Sequence, residues 1–422
     1  MMYDGEGYLF FRIRPVQYLV SGKIVVGTWS TLTGTSIAST NITYFIFSGH
    51  QTNLNWQAST SYAEDGKRKT VVQYFDGTLR GRQTVTKDNI TNTTVVAETF
   101  YDYQGRPAIQ VLPAPTLNTI IQFAQNFNNF QTSLTNPYQK DIYDLVQPNS
   151  SVCNTLTPPL QSSIGAAQYY SINNPKKNDG ENKYIPEAQG YPYTETRYSQ
   201  DATGRIVAQG GVGINHQLGT GKETQYYYGS ANQKELVALF GTEVGDASHY
   251  SKNMVRDANG QYSVSYVDMA GKTIATALAG NPPSSLSELD SHAALQTNQV
   301  IENLITNQNN IVQGRSIVAS KTLLVPKAGP YHFNYSLNPQ SAEILACNPQ
   351  NQNVCYDCLY NLEIRITGSC SDVPIIITRR NFSLNSSGQV DTLDINCSNP
   401  SPSLSIDTTI IFAEGEYSIT KT

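Results

Sequence analysis

The stretch Tyr101-Asp102-Tyr103-Gln104-Gly105-Arg106 decides the fold, because it places a strong turn signal between strand-like segments. Aspartate favours the first position of a type I turn, and glycine readily takes the left-handed conformation at the fourth. The segment Ala108-Ile109-Gln110-Val111 follows the turn and is typical of a strand. The stretch therefore predicts a β-hairpin with a positive φ at Gly105.

The pattern of aspartate, two further residues, glycine and a polar residue occurs at three other places in the chain. The four copies begin at Asp102, Asp201, Asp257 and Asp268, their glycines are Gly105, Gly204, Gly260 and Gly271, and the first two end on Arg106 and Arg205. Each copy is followed by strand-like residues, so each predicts a hairpin turn. The last two copies are separated by one strand and one turn, which predicts an antiparallel β-meander.

Tyrosine precedes several of these turns, most clearly at Tyr101 before Asp102. The stretch resembles the Tyr-Asp-x-x-Gly-Arg core of the YD repeat in the RHS family of large bacterial surface and toxin-delivery proteins. Residues 74–85 are similar to the segment that opens such repeats in the very large Bacteroidetes-type members. The resemblance runs from about residue 71 to 280 and is interrupted at 116–192.

The resemblance implies a structural role rather than catalysis. In such proteins a β wall encloses or presents another part of the same polypeptide, often a C-terminal toxin. It implies a secreted or cell-surface protein that is not an enzyme and takes no cofactor. The implied partners are other regions of the same large polypeptide and outer-membrane secretion machinery.

The sequence predicts a mainly β protein of four regions, in which an antiparallel β-hairpin sheet forms an RHS-like shell wall. The regions are a β-rich segment at 1–60, the YD-repeat region at 61–284 with a Pro/Asn-rich insertion at 136–182, a helical connector at 285–321, and a β-sandwich of immunoglobulin-like or prealbumin-like type at 322–422. Ser285 and Glu288 have the spacing of a helix-capping box, which favours the connector helix. Both ends of the chain have strand character, so we expect an internal piece of a longer protein.

Composition excludes several partners. Only 14% of the 422 residues are charged, against about 25% in an average soluble protein. The 28 basic and 33 acidic residues leave a net charge of −5 with no basic block. The chain therefore lacks the positive charge that would attract nucleic acid or anionic lipid. No apolar run reaches the 18 or more residues of a membrane span, so we expect no direct membrane insertion.

Cysteines are concentrated in the last region. Five of the six are Cys347, Cys355, Cys358, Cys370 and Cys397, and the sixth is Cys153 in the insertion. An even number in a polar chain of exported character favours disulfides among the last five. The Cys-x2-Cys pair leaves an alternative, which is zinc held by the first four of these residues.

The sequence gives only weak evidence for a metal site, a catalytic pair or a sugar-binding surface. The five histidines are scattered without metal-ligand spacing. Glu195 and Asp201 are candidates for a glycosidase carboxylate pair, although aspartates of the repeats are explained by their turns. Tyrosine-rich strands can stack on sugars, but such side chains more often pack across strands. Two alternatives to the structural role therefore remain: a cell-surface adhesin or glycan-binding module, and a polysaccharide-acting enzyme.

Overall fold

The structure is a computed structural model with two compact units. It describes residues 7–10, 12–30, 44–47, 50–116, 118–131, 157–199, 203–279, 301–337, 361–368, 373–380 and 404–422. The first unit comprises residues 1–100, 110–129 and 161–185, and the second comprises 101–109, 130–160 and 186–422.

The first unit is built on short N-terminal strands and four longer antiparallel ones. The strands are β1 Gly7–Phe10, β2 Val16–Tyr18, β3 Ile24–Val26, β4 Tyr44–Phe47, β5 Asn55–Tyr62, β6 Arg68–Phe75 and β7 Gly81–Asp88. Two further strands, β8 Thr93–Tyr101 and β9 Pro107–Pro115, have residues in both units. β1 pairs with β4 and β2 with β3, while β5 to β8 lie side by side in chain order. These pairs are all antiparallel, as consecutive hairpins require.

Strand β8 shows why these sequences form strands. Its side chains alternate between buried and half-exposed along all nine residues, with Thr94, Val96, Glu98 and Phe100 on the buried side. This period of two is the geometry of a strand that covers a core on one face. Val96 joins Val72, Tyr74 and Val85 in a hydrophobic cluster, against which Phe123 and other residues of the 121–127 segment pack.

The second unit continues the hairpin pattern. Its strands are β10 Tyr193–Tyr198, β11 Ile206–Gly210, β12 Thr224–Ser230, β13 Ser251–Arg256, β14 Tyr262–Val267 and β15 Thr273–Ala279. Each pairs antiparallel with the next in chain order. The predicted meander around Asp257 and Asp268 is thereby confirmed.

Helices are few and short in the described part of the chain. The α-helices are Gly165–Tyr169 and Gln233–Phe240, and the 3-10 helices are Glu64–Gly66, Gly180–Tyr184, Ile214–His216, Thr242–Val244 and Ala247–His249. Asn232 caps the eight-residue helix by accepting a hydrogen bond from Lys234 N at 2.9 Å. The protein is therefore mainly β with antiparallel sheets, as the sequence predicts.

The last strands form two sheets around one core. They are β16 Asn310–Gln313, β17 Ser316–Val325, β18 Gly329–Leu337, β19 Asn361–Gly368, β20 Ile375–Arg380, β21 Leu404–Phe412 and β22 Gly415–Lys421. One sheet has the order β16-β17-β22-β19-β20, and the other pairs β18 with β21. Ile364 and Ile366 of the first sheet share a hydrophobic cluster with Ile406 and Phe412 of the second, which is the sheet-on-sheet packing of a sandwich.

Strand β12 lies directly on this terminal region within the second unit. A Cβ at Gly229 would stand 2.9 Å from Leu324 Cβ, so glycine is required for the close approach. Glu416 Oε2 accepts a hydrogen bond from Tyr228 N at 2.9 Å on the same side. Leu324 also belongs to the cluster that includes Leu236 and Met254. The terminal strands and β12 are therefore packed as one body.

The prediction of a helical connector at 285–321 is wrong for its second part. Residues 301–306 carry no helix, and strands β16 and β17 follow. The Asn309 side chain accepts from Thr306 N at 2.7 Å and donates to Leu304 O at 2.8 Å. Such local bonds compete with helical ones. The capping-box residues lie outside the described residues.

No helix in the described part of the chain combines the length and apolar character needed to cross a membrane.

Candidate functional site

The repeat turns are the first candidate site, and the turn at Asp102 shows their construction. Asp102 Oδ1 accepts hydrogen bonds from Gln104 N at 3.0 Å and Arg106 N at 2.9 Å. Its Oδ2 accepts from Arg106 Nε at 2.8 Å. Two backbone bonds close the loop, from Asp102 N to Arg106 O and from Gly105 N to Asp102 O. Both carboxylate oxygens are thus used inside the turn.

The later turns repeat this geometry. Asp257 Oδ1 accepts from Asn259 N and Gln261 N at 2.9 and 2.8 Å, and Asp268 Oδ1 accepts from Ala270 N and Lys272 N at 3.0 and 2.8 Å. The four predicted glycines have φ values of 81° at Gly105, 68° at Gly204, 83° at Gly260 and 78° at Gly271. The predicted positive φ is therefore confirmed at all four, although Asp201 itself lies outside the described residues.

A further turn of the same kind begins at Asp76. The repeat pattern does not include it, because leucine stands at the fourth position, where the other turns have glycine. Asp76 Oδ1 accepts from Thr78 N at 2.8 Å and Arg80 N at 3.0 Å, and Oδ2 accepts from Arg80 Nε at 2.6 Å. Leu79 holds the left-handed position with φ 62°. Aspartate followed by arginine four residues later is the signal that would have found it.

Electrostatics at Asp76 reflect this bonding. Partial burial acts to raise the pKa of the Asp76 carboxyl, but the hydrogen bonds from Arg80 and Thr78 outweigh burial and hold the pKa well below its usual range. The carboxylate form is therefore the one that the turn stabilises. A group held this firmly in its charged form is suited to a structural role rather than to proton transfer near neutral pH.

Arginine at the end of a turn covers a tyrosine of a later strand. Arg106 Cζ lies 4.5 Å from the centroid of the Tyr198 ring, and the Tyr198 hydroxyl donates to Pro107 O at 3.1 Å. Arg106 also donates to Ser199 O at 3.2 Å. We call this combination of a guanidinium over the ring and a hydroxyl on the next carbonyl an Arg–Tyr clamp.

The clamp recurs one turn later. Arg205 Cζ lies 5.0 Å from the Tyr228 ring centroid, and the Tyr228 hydroxyl donates to Ile206 O at 2.8 Å. In both clamps the acceptor is the carbonyl of the residue that follows the arginine. Burial raises the pKa of both tyrosines. Arginine and tyrosine of the repeat therefore connect one hairpin to a later strand.

Glu195, the carboxylate suggested for a glycosidase pair, is only 2% exposed. Its Oε1 accepts from Arg197 Nε at 3.2 Å, and Thr157 lies close enough to lower the pKa of the carboxyl. Burial raises the pKa of this carboxyl, against the opposing effect of Arg197. Its suggested partner Asp201 lies outside the described residues, so the pair remains a prediction.

A buried polar network of the first unit fixes the segment that follows β9. Glu98 accepts from Gln83 Nε2 at 3.2 Å and from Asn128 Nδ2 at 2.9 Å, one on each carboxylate oxygen. Asn128 Oδ1 in turn accepts from Ala166 N at 3.0 Å. Satisfied networks of this kind specify one packing arrangement. Sequence reasoning missed them because their members are far apart in the chain.

A charged cluster of the second unit centres on Lys252, which is 6% exposed. Its Nζ donates to Glu235 Oε1 at 2.7 Å and Oε2 at 2.9 Å, and the Tyr266 hydroxyl donates to Glu235 Oε2 at 3.2 Å. Burial and the Glu235 charge raise the pKa of Tyr266. The cluster anchors the helix Gln233–Phe240 on strands β13 and β14.

The described ranges contain no candidate metal site, because no group of three or more His, Cys, Asp or Glu side chains there is placed to hold an ion. All six cysteines lie outside those ranges. The disulfide prediction and its zinc alternative therefore both stay predictions.

Comparison with known protein families gives one match. A family model described as a domain of unknown function (DUF6443) matches residues 50–230, which is less than half of the chain. The matched residues include the turns at Asp76 and Asp102 and both Arg–Tyr clamps. No curated protein matches the chain.

Proposed function

We propose that this chain is a structural segment of a large exported protein of the RHS/YD-repeat type. Its β-hairpins form part of a wall that encloses or presents another region of the same polypeptide, such as a C-terminal toxin. The terminal strands are then an immunoglobulin-like or prealbumin-like module joined to that wall. The chain itself is not an enzyme.

One observation carries this proposal: the aspartate and arginine side chains that define the repeat are bonded to each other and to neighbouring parts of the fold. Asp102 gives both oxygens to its own turn, and Arg106 divides its donors between Asp102 and the clamp on Tyr198. The same arrangement of arginine, tyrosine and carbonyl recurs at Arg205. A repeat built in this way supports the geometry of a wall rather than a reaction.

The covered tyrosines argue against sugar stacking on these particular rings, whereas Tyr62 and Tyr184 are exposed. Arginine lies over the rings of Tyr198 and Tyr228, and Tyr74, Tyr193 and Tyr266 are at most 6% exposed. A sugar needs an open aromatic face to stack on. The net charge of −5 likewise supports the expectation that nucleic acid is not a partner.

The test measures whether the chain protects an attached segment from proteolysis. Any segment that the natural open reading frame encodes after residue 422 is expressed alone and joined to this chain, and both proteins are treated with a protease. We expect the joined segment to be cleaved at least about tenfold more slowly than the free segment, because a folded wall limits access to the local openings that cleavage requires.

The matched variants are Arg106→Ala, which breaks a clamp, and Tyr103→Ala at an exposed turn position. We expect the first to reduce protection and the second to leave it unchanged. Equal cleavage of free and joined segments would contradict the proposal. Saturable binding on a glycan array would support the adhesin instead, and release of sugars that depends on Glu195 would support the enzyme.

A further inference from the structure

Three side chains of the second unit bring an amine, a carboxylate and a carboxamide together. Lys321 Nζ on strand β17 lies 2.5 Å from Glu302 Oε1. Asn232 Nδ2, from the residue that caps the helix Gln233–Phe240, lies 2.5 Å from Glu302 Oε2. One carboxylate therefore bridges the amine and the carboxamide, with one oxygen on each.

We propose that Lys321 and Asn232 form an intramolecular amide cross-link, with Glu302 as the group that moves the proton. The bond would join the residue before a helix to a strand of the terminal sandwich. This inference is independent of the RHS/YD-repeat proposal, because it rests only on the contacts of these three side chains.

The reaction balances without any other reactant. Glu302 accepts a proton from the Lys321 ammonium, and the free amine attacks Asn232 Cγ. The Nζ–Cγ bond forms, the proton on Glu302 passes to Nδ2, and the Cγ–Nδ2 bond breaks to release ammonia. The second proton that Nζ loses on becoming an amide passes through Glu302 to the departing ammonia, which leaves as ammonium, and Glu302 returns to its carboxylate form. Both ends of this transfer touch the same carboxylate, which is the arrangement that general acid–base catalysis requires.

The carbonyl of Asn232 is also prepared for attack. Asn232 Oδ1 accepts a hydrogen bond from Lys234 N at 2.9 Å, at the start of the helix. Negative charge that develops on Oδ1 during attack would be stabilised by this N–H and by the positive end of the helix dipole. The hydrogen bond persists in the product, because the new amide keeps the same oxygen.

The surroundings hold the groups in place. Asn303 O accepts a second hydrogen bond from Lys321 Nζ at 2.8 Å. The Lys321 and Glu302 side chains are 23% and 25% exposed, so both are largely covered. The Lys252–Glu235 pair offers a matched comparison within the same unit, since Glu235 accepts from a tyrosine hydroxyl in place of a carboxamide.

Intact mass of the full 422-residue chain tests the proposal. We expect the folded protein to be lighter than its sequence by one ammonia, about 17 Da, as displacement of Nδ2 by an amine requires. Digestion should yield a branched peptide that joins Asn232 to Lys321. Lys321→Arg and Asn232→Ser should restore the full mass, while Lys252→Arg should keep the loss.

These variants are chosen to preserve the fold. Arginine keeps the positive charge beside Glu302, and serine keeps a cap oxygen for Lys234 N. Asn232→Asp gives a positive readout, because the same attack would then release water, about 18 Da, instead of ammonia. Glu302→Gln should slow the appearance of the lighter species at least about tenfold, since it removes the proton acceptor.

Two results would overturn the proposal. One is the full sequence mass for folded wild-type protein after prolonged incubation at neutral pH. The other is a loss of ammonia that survives Lys321→Arg, because that loss would come from cyclisation of an asparagine on its own backbone and would need no lysine.

Discussion

Leu79 holds a φ of 62° at the position that Gly105 holds at 81° in the turn of Asp102. The two turns share the same carboxylate bonds although one has leucine and the other glycine at this position, so the aspartate defines the turn and the glycine only eases it. A left-handed conformation costs a residue with a side chain roughly 1–2 kcal/mol.

We therefore expect Leu79→Gly to stabilise the protein by about 0.5–1 kcal/mol, because relief of strain exceeds the entropy cost of glycine. The Leu79 side chain is 70% exposed, so little packing is lost. Urea unfolding should show a higher midpoint with an unchanged slope. Gly105→Leu is the reverse change and should destabilise. A lower midpoint for Leu79→Gly would show that leucine makes contacts that outweigh its strain.

Breaking the clamp should reveal coupling between Arg106 and Tyr198. A double-mutant cycle of Arg106→Ala and Tyr198→Ala should give an interaction energy of about 0.5–1 kcal/mol, typical of a cation over an aromatic ring. Pairing Arg106→Ala with Tyr228→Ala provides the control, since Tyr228 is clamped by Arg205 and we expect additive effects. Strict additivity in the first cycle would show that the ring and guanidinium are neighbours without a net attraction.

Acid should weaken the Asp76 turn in a defined direction. The folded pKa of Asp76 is lowered, so its contribution to stability is complete above the unfolded value of about 3.9 and is lost as pH falls through the folded pKa. Asp76→Asn should be less stable than wild type at pH 7, and the difference in unfolding free energy should shrink below about pH 4. Denaturant titrations from pH 7 to pH 2 measure it. A difference that stays constant across this range would assign the effect to geometry rather than charge.

Close approach at Gly229 predicts sensitivity to one methyl group. Gly229→Ala should destabilise by about 1–3 kcal/mol, because the new Cβ would meet Leu324 Cβ at 2.9 Å. Gly77→Ala is the matched control, since a Cβ there meets nothing within 4 Å. Thermal unfolding of both variants checks this. Equal melting temperatures for wild type and Gly229→Ala would mean that β12 and β17 separate without cost.

Local features of the fold could be predicted from the sequence, and long-range ones could not. Aspartate and glycine predicted the turns at Asp102 and Asp268 because their geometry is set by four or five adjacent residues. The turn at Asp76 escaped because a leucine bears the strain that glycine would avoid. The capping box at Ser285 favoured a helical connector, yet the Asn309 side chain bonds to Thr306 N and Leu304 O, and strands β16 and β17 follow.

The candidate site shows the same limit more strongly. The aspartates could be assigned to turns from sequence alone, but the tyrosine that Arg106 covers lies on a strand beyond the long insertion. Lys321, Glu302 and Asn232 come from a strand, an irregular segment and a helix cap, and no spacing in the chain signals their meeting. Such contacts follow from strand pairing in space, which a local pattern does not contain.

The clamp between Arg106 and Tyr198 has a consequence for how the chain tolerates change in length. It pins residues on either side of the insertion, through a ring contact and the hydrogen bonds to Pro107 and Ser199. The entropy of closing a loop grows only with the logarithm of its length, so a doubling costs about 0.6 kcal/mol. The clamp therefore fixes the two ends of a long stretch of chain, and sequence added between them would cost little entropy where it leaves the buried bond between Asn128 and Ala166 intact.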